Sequence, residues 1–211
     1  MLELFKAGGW LMLPLLGCSI IAIAIIAERF WSLQKRRIAP PELITQIWQW
    51  LQFKQIDQYR INSLQKNSPL GQILAAGLIN RNSSRDITKE SIEDTGRHVT
   101  QQLERNLNTL GTIAAISPLI GLLGTVIGMI KVFAVITLEG VGNPETLAGG
   151  ISEALITTAA GLVVAIPSVI FYRYFRGKIN QLVVSMEEQA MQLIEMLHGE
   201  REFDPDEARA Q

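Results

Sequence analysis

Residues 149 to 171 read GGISEALITTAAGLVVAIPSVIF, a run apolar enough for lipid that nonetheless carries a carboxylate, Glu153. An ionisable group inside a spanning helix costs about 2.5 to 3.5 kcal/mol on insertion scales, so such a group usually faces a bundle interior or a wet cavity. On a helical wheel Glu153 shares one broad arc with Ala154, Thr157, Thr158, Ala160, Gly161, Ala165 and Ser168, and only Val164 intrudes. Leu155, Ile156, Leu162, Val163, Ile166, Val169 and Ile170 occupy the opposite arc. One face therefore suits lipid or aliphatic neighbours, and the other is small, hydroxylated and acidic. The chemistry this pattern suits is the binding of a proton or cation at Glu153. The alternative is that Glu153, near the start of the run, reaches to the headgroups.

A second run, GTIAAISPLIGLLGTVIGMIKVFAVIT from Gly111 to Thr137, gathers Ala114, Ser117, Gly121, Gly124, Thr125 and Gly128 within about 100° of arc. Small residues spaced in this way let helix backbones approach closely in lipid, so this face is expected to pack on another helix, and since both runs present such a face a lone chain is expected to be unable to cover them, which favours oligomerisation. The packing set is Ser117, Gly121, Gly124 and Gly128, joined by Ala154, Gly161 and Ala165 on the other run. Thr125 either bonds back to a carbonyl of its own helix or faces a pore. Lys131, near the outer end, is expected to snorkel outward, the alternative being a part in ion flow. Pro118 and Pro167 are expected to kink their helices and free carbonyls.

The elements that must position these residues follow from composition. The chain has 211 residues, 48% hydrophobic and 18% charged, more apolar than a typical soluble domain. The bias falls in three blocks, of which the first, Trp10 to Ala27, is free of charge. Each is long enough to cross about 30 Å of hydrocarbon. The first block is longer than a signal-peptide core and follows only Lys6, so an uncleaved helix is expected. Arg29, Lys35, Arg36 and Arg37 follow the first span, Arg97 and Arg105 precede the second, and Arg173, Arg176 and Lys178 follow the third. Positive-inside bias then puts the N-terminus outside and the C-terminus in the cytoplasm.

The expected organisation is all-α and integral to the lipid bilayer. It comprises a short periplasmic N-terminus at 1–9, spans at 10–27, 111–137 and 151–172, a helical cytoplasmic insert at 28–110 and a periplasmic loop at 138–150. A cytoplasmic amphipathic helix and acidic tail follow at 173–211. In the insert, Pro41 is expected to open a helix with Leu43, Ile47, Trp50 and Leu51 on one face. Ser68 and Pro69 are expected to be N-cap and N1 of another, carrying Leu70, Ile73, Leu74 and Leu78. Ile87, Ile92, Val99, Leu103, Leu107 and Leu110 then lead into the second span as one long helix. Past the third span, Leu182, Met186, Leu193 and Leu197 form a stripe, and residues 199 to 211 are acidic and expected to fray.

Other classes find little support. Net charge is −1 with no basic, aromatic-interleaved stripe, so nucleic acid is not an expected partner. Cys18 is alone, and His98 and His198 have no second ligand at metal spacing, so neither a disulfide, a metal nor another cofactor is expected. No nucleophile with a base and no phosphate-binding loop marks an enzyme.

Two stretches together, Gly150 to Pro167 and Pro118 to Gly128, closely resemble the ExbB, TolQ and MotA family of proton-channel motor subunits. The resemblance extends to the layout of the whole chain. MotA proteins carry an additional span, which places this chain with ExbB and TolQ, and its short N-terminus is more similar to a short ExbB. One departure is Arg173 after Tyr172, where the family often has Asn. The resemblance implies an inner-membrane ring, typically of five copies, around the span of an ExbD-type partner with an intramembrane Asp. Glu153, Thr125 and Thr158 would line the path, and ion flow would drive work on a TonB-type protein. A role like that of TolQ in the Tol-Pal envelope system, or a non-conducting scaffold, is the alternative.

Overall fold

The computed structural model describes residues 8–53, 55–139 and 144–199. The N-terminal residues 1–7, the middle of the loop after the second span and the acidic tail from 200 lie outside the described residues. Among those described there is helix and turn but no strand. Seven helices follow in order: α1 Met12–Ser32, α2 Lys35–Ile38, α3 Leu43–Gln52, α4 Gln58–Asn67, α5 Pro69–Ile79, α6 Arg85–Glu139 and α7 Pro144–His198. Of these, α1, α6 and α7 are long and apolar enough to cross a membrane. The chain divides into two compact units, one of Met1–Glu28 with Asn106–Tyr174 and the other of Arg29–Arg105 with Phe175–Gln211.

The first unit buries a narrow stripe and exposes the rest. On α6 the covered residues are Leu110, Ile113, Ala114, Ser117, Gly121, Gly124, Gly128 and Val132; on α7 they are Ala154, Thr157, Gly161, Ala165 and Ser168. Steps of three and four place each set on one helix face. Leu119, Leu122, Val126, Ile130 and Phe133 on α6 point away from the stripe, as do Leu155, Val163, Ile166 and Ile170 on α7, all exposed. In water such a surface would aggregate; in lipid it needs no cover. Both helices run through their prolines, Pro118 and Pro167, without a break.

The second unit is organised by α5. Ser68 is extended and its Oγ accepts from the amide of Gly71 at 3.0 Å, with Pro69 at the first helical position, the expected cap. Leu70, Ile73, Leu74 and Leu78 are all buried. Gly77 lies so close to Ile92 and Leu193 that a Cβ would meet each at 2.9 Å. At its C-terminal end the Asn80 amide donates to Ser91 Oγ at 2.9 Å, and Thr88 returns a hydroxyl to the Asn80 carbonyl at 3.0 Å. Arg29 is buried and donates to the Leu103 carbonyl at 2.7 Å, while Phe30 stands edge-on to Phe175 with ring centres 5.1 Å apart.

Two local expectations are corrected. Pro41 does not begin a helix: α3 starts at Leu43 with Glu42 at its cap, and Pro41 sits in the turn before it. The fully buried residues of α3 are Ile44, which was not expected, and Ile47, while Leu43, Trp50 and Leu51 are half-buried. Leu197 is only half-buried where the stripe of α7 ends, and Ile87 is exposed at the start of α6.

Candidate ion site at the α6 and α7 seam

Small residues bring α6 and α7 into backbone contact along the first unit. A Cβ on Gly121 would lie 3.0 Å from the Thr158 Cα and 3.1 Å from the Thr157 carbonyl; one on Gly161 would lie 2.6 Å from the Ser117 carbonyl. A Cβ on Gly124 would fall on the Thr157 side chain, and one on Gly128 would come within 2.8 Å of Ala154 and of the Gly150 carbonyl. All seven residues of the packing set, Ser117, Gly121, Gly124, Gly128, Ala154, Gly161 and Ala165, are buried at or beside this contact. The small faces of the two helices thus cover each other within one chain.

This register sets Ala154 against Gly128, and Lys131 lies about one turn further along α6. The Lys131 ammonium donates to both carboxylate oxygens of Glu153, at 2.6 and 2.7 Å. The two members differ in exposure: the Glu153 side chain is 20% exposed and that of Lys131 51%. On another side, Gly9 in the turn before α1 is so close that a Cβ there would fall on Glu153 Oε1. Its φ of +70° is a conformation that favours glycine, so both the backbone turn and the space demand that residue. Three segments, the Gly9 turn, α6 and α7, converge on one carboxylate.

The hydroxyls around the seam are engaged with carbonyls. Thr158 donates across the seam to the Gly121 carbonyl at 3.0 Å. Thr125 donates to the Leu122 carbonyl of its own helix at 2.6 Å and is half-exposed outside the seam. Thr157 is buried between the carbonyls of Glu153 and Ala154, each at 2.9 Å. Ser117 and Ser168 bond one turn back at 2.7 Å. Thr158 therefore reaches across to α6, while Thr125 is bonded within its own helix.

Lys131 departs from its expected role, since it folds onto Glu153 rather than outward alone. Helical spacing within each run gives no hint of this. The signal that could have found it is a pair of opposite charges at similar depth in two antiparallel apolar runs, where an unpaired charge is costly. Gly9 and Thr157 were also not singled out as site residues. Elsewhere, the second unit has a groove of about 660 Å³ floored by Ile73, Ile92 and Met186 and edged by Lys89 and Glu187. Among the described residues no three His, Cys, Asp or Glu side chains converge as metal ligands.

The arrangement is a Lys131–Glu153 ion pair mounted on two helices long and apolar enough to cross a membrane, the layout of an integral membrane protein. The family model described as "MotA/TolQ/ExbB proton channel family" matches residues 65–188, well over half of the chain. This protein belongs to that family, whose members are channel and transport subunits. It is 31% identical over 207 residues to the putative biopolymer transport protein ExbB-like 3 of Synechocystis sp., covering 95% of this chain and 96% of the relative. It is 33% identical over 141 residues to ExbB of Salmonella typhimurium, covering 67% of this chain and 56% of that protein. The Tol-Pal system protein TolQ of Pseudomonas aeruginosa is 28% identical over 183 residues, covering 82% and 79%.

Proposed function

We propose that the chain is an inner-membrane proton-channel subunit that converts the proton motive force into mechanical work on an envelope protein. The observation that carries this reading is a carboxylate, Glu153, held at the seam of two helices long enough to span a bilayer. An acid so placed has no value to a passive anchor, which would be more stable with an aliphatic residue there. The matched family region contains Thr125, Glu153 and Thr158 together. In this reading Glu153 is the protonatable group, and Thr158 and Thr125 support the path with their hydroxyls.

The chain works as a homo-oligomer, typically of five copies, around a single-span partner that carries an intramembrane Asp. The reason is not the small faces of α6 and α7, which cover each other. It is that Thr125, Lys131 and Glu153 retain exposed polar surface among lipid-facing aliphatics. The cations at both ends of the long insert favour a periplasmic N-terminus and a cytoplasmic C-terminus. The driving force is about 2.3 kcal/mol per charge per 100 mV. With ExbB-like relatives matched over nearly the whole chain, a TonB-type protein is the favoured recipient of the work. The TolQ relative supports a second reading, service to a Tol-Pal type envelope system.

Glu153→Gln tests the core of this reading. It is expected to leave insertion and assembly intact and to abolish proton flux in vesicles containing the single-span partner. Undiminished flux in that variant removes Glu153 from the mechanism, and a scaffold role predicts that result.

A further inference from the structure

Resting on the channel reading, we propose that Lys131 is the positioning residue of the ion site: in this conformation its ammonium takes the place of the conducted cation on Glu153 and must swing away before conduction. Both carboxylate oxygens are engaged by this one nitrogen, at 2.6 and 2.7 Å. A proton or a small cation approaching those oxygens from the lysine side meets an ammonium already seated there. On the Oε1 side the Gly9 turn also crowds the carboxylate, since a Cβ there would fall on that oxygen.

Exposure decides which partner moves. Lys131 is the outer member at 51% exposed and Glu153 the inner at 20%, so displacing the lysine uncovers the acid. Lys131 stands between exposed Ile130 and buried Val132, on the flank of the seam rather than in it. Its flexible four-carbon stem lets the ammonium travel without any shift of α6. The Thr157 hydroxyl, one turn along α7, is committed to two backbone carbonyls.

The exchange balances in charge. A bare carboxylate in low-dielectric surroundings is strongly unfavourable, so release of the ammonium is coupled to arrival of another cation. For a proton, one Glu153 oxygen gains an O–H bond while the ammonium keeps all three of its N–H bonds and moves to the wetter side. When the proton leaves, the ammonium returns. The lysine thereby prevents leak while no partner is drawing it off.

The test uses the full chain in vesicles with its single-span partner and compares wild type, Lys131→Met, Lys131→Arg and Glu153→Gln. One readout is the rate at which a hydrophobic carbodiimide modifies Glu153, followed by mass spectrometry; the other is proton leak into a dye-loaded lumen. Lys131→Met is expected to raise both by about two- to fivefold, the scale of losing one half-exposed ion-pair contact. Lys131→Arg is expected to hold both near wild type, which a merely space-filling role would not require. Equal labelling of Lys131→Met and wild type overturns the proposal. If labelling rises but no variant, wild type included, passes protons under a driving force, the channel reading falls while the lysine cover stands. If Lys131→Met fails to insert, solid-state NMR on isotope-labelled wild type measures the Lys131 nitrogen to Glu153 carboxyl contact directly. Lengthening of that contact under an imposed proton gradient supports the exchange, and an unchanged contact overturns it.

Discussion

At the scale of single residues, the site depends as much on what lacks a side chain as on what ionises. Gly9 has a left-handed φ and lies against Glu153, so Gly9→Ala combines about 1 kcal/mol or more of backbone strain with displacement of the carboxylate. The expected outcome is a lower unfolding temperature in detergent together with faster carbodiimide labelling of Glu153; labelling at the wild-type rate would separate Gly9 from the site. Glu153 and Thr158 stood out in the sequence because a carboxylate and hydroxyls are out of place in an apolar run. Lys131 stood out only as a charge expected chiefly to snorkel and Gly9 not at all, because their importance comes from a partner 22 residues distant in one case and from a turn conformation in the other. Neither is written in local periodicity.

At the scale of elements, glycine has opposite effects depending on what faces it. Gly161→Ala places a methyl 2.6 Å from the Ser117 carbonyl, in backbone that has nowhere to retreat, and is expected to destabilise by about 1 to 3 kcal/mol. Gly96, also inside α6, has nothing within 4 Å of the added carbon, so Gly96→Ala is expected to stabilise by about 0.5 to 1 kcal/mol through helix propensity. Denaturant titration of the two variants in the same detergent checks the pair, and like-signed shifts would refute the assignment of Gly161 to a tight contact. The long α6 and the capped α5 were legible because an unbroken apolar periodicity and a Ser-Pro pair encode them directly. The start of α3 was not, since Pro41 is as compatible with a turn as with a first helical turn. The mutual cover of the α6 and α7 small faces also escaped the sequence, which shows that a face must pack but not on which chain.

For the molecule as a whole, the distribution of cations makes a prediction about sidedness. Cys18 is the sole cysteine, so a Cys18→Ser background permits single reporters. A cysteine in place of Ala148 is expected to react with an impermeant maleimide added outside intact cells, and one in place of Arg60 only after permeabilisation. The reverse pattern would invert the proposed orientation. The close approach of α6 to α7 has one more consequence. Where Gly121, Gly128 and Gly161 press backbone against neighbouring atoms, the gap is narrower than a solvent molecule, so a hydrated file has no room to run between the two helices of a single copy. On the proposed channel reading, a wet route past Glu153 follows the outer flank of this hairpin and is walled on its far side by another polypeptide, so that one copy by itself forms only half of a conduit.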